Sequence, residues 1–168
     1  MHISMYQASA PRFAHTLKSL SAILAKAQAH CEAKKIDPLV LTGARLYPDM
    51  FPLSRQVQVA CDLAKGAVGR LAGVEMPKHE DTEKSFDELK ARIAKTLDFI
   101  ASVKPAQIDG SEEKEIVLKL RGNDTPFKGT QYLLGFVYPN FYFHAATAYN
   151  ILRHNGIEIG KRDFLGPR

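Results

Sequence analysis

His144, Asn140 and Gln56 are the polar side chains in this sequence best placed to do chemistry. In the run Pro139-Asn140-Phe141-Tyr142-Phe143-His144, apolar residues at Leu134, Val137, Phe141, Ala148 and Ile151 step by three and four, and His144 falls on the same line. That spacing aims an imidazole at the interior of a helical protein, with Asn140 one turn earlier on the same side. Asp49, Gln56 and Leu63 lie along one flank of a second apolar helix. Gln56 is therefore an amide at a core edge, where a polar group needs a partner, and His144 is able to supply it. An imidazole beside amides offers a hydrogen-bond acceptor, a proton carrier or a metal ligand. Each residue also has a structural reading. A lone histidine on an apolar face more often serves as a hydrogen-bonded structural group, Gln56 as a solvent-facing amide, and Asp49 as a helix N-cap.

Other chemistries find little support. His15, His30 and His154 stand near helix ends or on polar flanks, and there is no HxxxH or ExxH pair, so only His144 is a strong candidate metal ligand. Nucleophilic triads, phosphate-binding loops and dinucleotide fingerprints are missing. Cys31 and Cys61 belong to no metal or redox spacing and fall in apolar helical patterns, where free cysteine packs as a small hydrophobe. The aromatic group Tyr138, Phe141, Tyr142, Phe143 and Tyr149 has the spacing either of core or of a pocket wall.

The elements that must position these residues are helices. Residues 5–32 carry Phe13, Leu17, Leu20, Leu24, Ala27 and Cys31 on one seam, with Pro11 forcing either a kink or a regular start at Ala10. A second seam runs through Met50, Leu53, Val57, Ala60, Ala64, Ala67 and Leu71 to Gly73, with Asp49 as its expected N-cap. Residues 74–84 read as a polar surface loop. Ser85-Phe86-Asp87-Glu88 is a capping box opening a third helix through Leu89, Ile93, Leu97, Ile100 and Val103. Residues 115–128 alternate as a hairpin turning at Gly122-Asn123-Asp124 and lying against the bundle as a lid on one end. A fourth helix spans 130–154 with Pro139 inside it, stopped at Asn155-Gly156, and the apolar tail packs back on the bundle.

The expected fold is therefore all-α: an antiparallel four-helix bundle with a small hairpin before the last helix, one domain over residues 1–168. A formal charge of +5 invites nucleic acid as a partner, but Lys and Arg are interspersed with Asp and Glu, the densest basic cluster being Lys161-Arg162 with Arg168 at the tail. No nucleic acid and no membrane is expected, since no apolar run approaches the ~20 residues of a span and no leader pattern opens the chain. The expected location is the cytoplasm.

Four blocks, Asp49-Met50-Phe51-Pro52-Leu53, Pro139-Asn140-Phe141-Tyr142-Phe143-His144, Tyr149-Asn150-Ile151-Leu152-Arg153-His154-Asn155-Gly156 and Gly160-Lys161-Arg162-Asp163-Phe164-Leu165, together resemble a bacterial domain-of-unknown-function family of the DinB/YfiT-like superfamily. The resemblance covers nearly the whole chain. It implies a bundle with a long second crossover and often a homodimer. It also implies a metal held by one histidine of helix two and an HxxxH pair of helix four, and in some members the transfer of low-molecular-weight thiols. Against that pattern His144 matches the second histidine of the pair, Asn140 replaces the first, and Gln56 lies near the third. The cofactor so implied is a divalent metal, zinc or nickel, with His144 as its one firm ligand and binding weak or lost.

Three readings follow. The first is a pocket formed by His144, Asn140, Gln56 and Asp49 that binds a small molecule. The second is a metal-dependent thiol transferase or hydrolase. The third is a non-catalytic dimeric interaction module, with Phe136, Tyr142 and Phe143 on an apolar flank of helix four.

Overall fold

The long helices begin and end where their own residues dictate. The computed structural model describes residues 3–167, so Met1, His2 and Arg168, used above for the leader pattern and the basic tail, lie outside the described residues. Pro11 ends the first short helix, Met5–Ala8, because a proline lacks the N–H to continue it; the chain breaks at Ser9 and the regular helix α1 starts at Ala10 and runs Ala10–Lys34. Helix α2 is Leu53–Ala72, closed by Gly73 at φ 71. Helix α3, Phe86–Ser102, opens on the expected box: the Ser85 hydroxyl accepts from Glu88 N–H and the Glu88 carboxylate accepts from Ser85 N–H. Helix α4, Tyr138–His154, follows directly on a π-helical stretch, Tyr132–Val137.

These helices form the expected bundle, as two antiparallel pairs. Gln28 late in α1 bonds Asp87 at the start of α3, and Tyr6 N–H before α1 bonds Asp109 beyond α3, so this pair runs in opposite directions. Gln56 early in α2 meets His144, and Arg70 at its far end meets Tyr132 before α4, which fixes the second antiparallel pair. The connection over residues 73–85 runs back along the bundle, so α3 lies beside α2 in the same direction, with Arg92 against Asp62. The seams meet in one core. Phe13, Leu17, Leu24, Leu53, Val57, Leu89, Ile93, Phe141 and Ile151 are fully buried, and Phe13 sets its ring edge-on to Phe141 at 4.9 Å.

The hairpin pairs β1 (Glu115–Leu120) with β2 (Asn123–Lys128) in antiparallel register. Its turn is Arg121-Gly122, both left-handed at φ 51 and 86, so Asn123 and Asp124 belong to the strand rather than to the turn expected there. Ile116 and Leu118 are its buried face, and Lys114 just before it donates to the Leu71 carbonyl at 3.0 Å, seating the hairpin at the α2 C-terminus. The tail packs back through buried Ile157 and Ile159 and a short helix, Lys161–Leu165, tied to α1 by Lys26–Asp163 at 2.6 Å.

Two sequence expectations about positions change. Asp49 does not cap α2: Pro52 is the N-cap, without a side-chain bond, and Asp49 is exposed in the preceding loop. Leu134 does not continue the α4 seam; it is 51% exposed, because the wider π turn adds residues per turn and shifts the phase between Leu134 and Phe141. Pro139 accounts for the irregularity, since an α-helical ladder through it lacks one donor and meets the proline ring.

Candidate functional site

The buried stripe of α4 is Phe141, Ala145, Ala148, Ile151 and Leu152, and His144 sits at its edge, half-buried, not on the seam itself. The reason is angular: on a helix, residue 144 is displaced from the line through 141 and 145 toward the neighbouring helix. That neighbour is α2. Gln56 there is only 1% exposed, and its Oε1 lies 2.6 Å from His144 Nδ1.

The hydrogen bonds determine which ring nitrogen carries the proton. Gln56 Nε2 donates to the Phe51 carbonyl at 3.1 Å, and a carbonyl only accepts, so the amide must present its NH2 there and its oxygen to the imidazole. His144 Nδ1 is then the protonated nitrogen. In the neutral ring Nε2 holds the free lone pair, and it receives no hydrogen bond from the described residues. Burial, and next the positive charge of Arg55, push the His144 pKa below its usual value, so the neutral form prevails at pH 7.

Aromatic rings wall the imidazole. Phe51 stacks on it at 6.4 Å and 19°, Phe143 meets it edge-on at 5.3 Å, and the Arg55 guanidinium lies 5.8 Å from the Phe51 ring centre. Phe51 and Phe143 are 49% and 55% exposed, which leaves this face open.

Of the four residues expected to converge, the fold brings together two. Asn140 turns back on its own helix, its Nδ2 donating to the Phe136 carbonyl of the π-helical stretch at 2.6 Å. Asp49 remains in the exposed loop. The clefts against Arg92, the C-terminal helix and the hairpin, and the one between α1 and α3, take no lining residue from His144, Gln56, Asn140 or Asp49. As a metal centre the donor set does not fit. Around the imidazole stand a phenylalanine pair, an arginine and an amide whose oxygen already accepts the Nδ1 proton, whereas zinc or nickel needs three or four strong donors. Among the described residues no group of three or more His, Cys, Asp or Glu stands close enough to hold an ion.

The sequence profile of a family described as a domain of unknown function, DUF1993, matches residues 5–165. The chain belongs to the DUF1993 family. A crystal structure of a DinB family member protein from Shewanella denitrificans is 42% identical, superposes with a TM-score of 0.91, and the match covers 97% of this chain and 92% of that one. No curated protein matches the sequence. This DUF1993 chain is thus DinB-like in fold, and no described helix is long and apolar enough to cross a membrane.

Sequence reasoning overlooked two features of this DUF1993 protein. Phe51, just before α2, stacks on the imidazole and Arg55, in the first turn of α2, lies over the Phe51 ring, and only the α2–α4 pairing reveals it. The second feature is Arg92. Its side chain is 1% exposed, yet it bonds Asp62 at 2.9 Å, Asp81 and Glu83 at 3.0 Å, and the Glu80 carbonyl at 3.1 Å. Burial works against its charge, but the Glu83 hydrogen bond and the Asp62 and Glu83 charges outweigh that and raise its pKa. The signal lay in the sequence as an arginine on the Leu89-Ile93 face beside the acidic run Glu80-Asp81-Thr82-Glu83. Both cysteines are core residues: burial pushes the Cys61 thiol up to about 12 and, with Asp37 and Glu32 adding to it, raises Cys31, so neither is a thiolate at neutral pH.

Proposed function

We propose that this protein binds a small molecule on the open face of α4, with His144 Nε2 as a fixed hydrogen-bond acceptor between the rings of Phe51 and Phe143. The observation that supports it is the relay from the Phe51 carbonyl through Gln56 to Nδ1, which orients the imidazole and leaves its other nitrogen free. A neutral, oriented imidazole beside aromatic walls suits a flat ligand that presents an N–H or O–H. The second reading of the sequence, a metal-dependent thiol transferase or hydrolase, requires donors that this face does not offer.

The test is a fragment screen on the folded protein, read by the ¹⁵N resonance of His144 Nε2. The expected result is that flat N–H or O–H donors shift that resonance, and that His144→Leu abolishes binding while the fold stays intact. If no donor fragment shifts Nε2, or if binding survives in His144→Leu, the reading is wrong.

A homodimer closing over the same face is a second reading, favoured by the exposure of Phe143 on α4 and of Phe51, both in ring contact with His144.

A further inference from the structure

Below the hairpin, between α2 and the π-helical stretch, lies a groove of about 470 Å³. Its walls are apolar: Val59 and Leu63 from α2, Leu118 from β1, and Phe136 from the π-helical stretch. Phe136 is held in place by stacking on Tyr132 at 6.1 Å and by Phe127 of β2 at 5.6 Å. The groove belongs to the range of small-molecule sites, which are mostly apolar with a few fixed polar groups.

The polar groups are unequal. Asp62 lines the groove but is already held by Arg92 and Lys65, and Arg55 is paired with Asp81. Arg70 differs. It has no carboxylate partner among the described residues, and its Nη1 donates to the Tyr132 hydroxyl at 3.0 Å. Tyr132 is 1% exposed, and burial raises its pKa, so at neutral pH the phenol keeps a proton for which the described residues supply no acceptor. A free guanidinium and a free O–H thus stand together at one end of an apolar groove.

The helix is built to hold this arrangement. Arg70 folds back over Gly66, one turn earlier, and a Cβ on residue 66 would overlap Arg70 Nη1. Mid-helix glycine is less stable than alanine there, yet here it is the residue that lets the guanidinium cross to Tyr132. Tyr132 and Phe136 both come from the π-helical stretch, a distortion found often where helices carry function.

We infer that this groove is a binding site for a small carboxylate with an apolar body, the carboxylate received by Arg70 and the Tyr132 hydroxyl and the body lying against Val59, Leu63, Leu118 and Phe136. A planar guanidinium matches a carboxylate in two parallel hydrogen bonds, and Lys119 of β1, which lines the same groove with no carboxylate partner among the described residues, adds to its positive charge. The groove shares Arg55 with the surroundings of His144, but His144, Gln56 and Phe51 do not line it.

The experiment titrates the full chain with 4-phenylbutyrate, its neutral amide and phenyl phosphate, following backbone amide shifts. The expected order is the carboxylate first, with the amide at least about tenfold weaker, as the loss of a charge-assisted hydrogen bond implies. Arg70→Met, which keeps the stem and removes the charge, is expected to cost at least about tenfold, and Tyr132→Phe several-fold. Gly66→Ala displaces the guanidinium without removing it, and is expected to weaken binding while the thermal midpoint holds or rises. His144→Leu is expected to leave this binding unchanged, which separates it from the function proposed above. Equal binding of the acid and its amide, preference for the phosphate, no binding below about 10 mM, or full affinity in folded Arg70→Met would each overturn the inference.

Discussion

His144 Nδ1 and Gln56 Oε1 lie 2.6 Å apart across the α2–α4 pair, and the amide between them and the Phe51 carbonyl makes the three groups one unit. The unit has a direction. Because Phe51 contributes only an acceptor, protons run outward from Gln56 to Phe51 and from His144 to Gln56, so the imidazole enters the structure neutral and as one tautomer. Protonating it adds a charge on a half-buried ring close to Arg55, which the surroundings resist.

That resistance gives a pH dependence with a definite sign. The folded pKa of His144 lies below the ordinary 6.5, through burial first and Arg55 second, and that of His79 does too, through burial and then Lys65 and Arg92. Between the folded and unfolded values the unfolded chain binds more protons, so stability falls as pH drops from about 7 through the unfolded value and on toward the folded ones. Urea midpoints across that range should fall, and the fall should be smaller in His144→Leu. The His144 Hε1 resonance should titrate with a midpoint below 6.5, and Gln56→Glu, by placing a carboxylate at Nδ1, should move it upward. A wild-type midpoint at or above the ordinary value would contradict the geometry.

Arg92 carries the second prediction. It ties the 73–85 connection to α2 through Asp62, Asp81 and Glu83, and this connection is what carries α3 back alongside α2. Removing the buried guanidinium leaves Glu83, 13% exposed, without its partner, while the more exposed Asp62 and Asp81 keep Lys65 and Arg55, so Arg92→Leu should destabilise by about 2 kcal/mol, or roughly 4–8 °C in thermal midpoint for a chain of this size. Arg92→Lys should recover only part, because one ammonium does not reproduce the fork that meets three carboxylates. Thermal unfolding of both variants checks this; a loss within about 0.5 kcal/mol would show the cluster to be surface decoration.

What the sequence reveals and what it hides divide along the same line as local and tertiary interactions. The α3 start was readable because the Ser85–Glu88 box is complete within four residues, and the ends of α2 and α4 because Gly73 and Gly156 take positive φ where their helices stop. The His144–Gln56 pairing was readable because a polar amide at a core edge implies a partner on the facing helix. Asn140 was misplaced because an asparagine beside a proline-disturbed turn bonds its own backbone, an option that residue spacing does not reveal. Arg92 is hidden because a charge on an apolar stripe looks like an interruption until the loop folds Asp81 and Glu83 over it and α2 brings Asp62, 30 residues away.

The last prediction concerns self-association through the face around His144. Phe143 is 55% exposed and Phe51 49%, and their ring contacts with His144 make them contiguous, whereas Tyr142 projects from another side of α4 against Tyr138 and Phe141. Phe136, expected on the same flank, is instead half-buried against Phe127 and Tyr132 under the hairpin and takes no part. Exposed aromatic rings around a polar centre have the composition of an interface core, and two-fold closure is the commonest way for one patch to cover itself. Sedimentation at micromolar concentration is therefore expected to show a dimer that Phe143→Ser weakens by at least about tenfold, the scale of one interface hot spot. The same substitution should leave 4-phenylbutyrate binding at Arg70 unchanged. A wild-type protein that stays monomeric at that concentration removes the dimer and leaves the aromatic face to a small ligand.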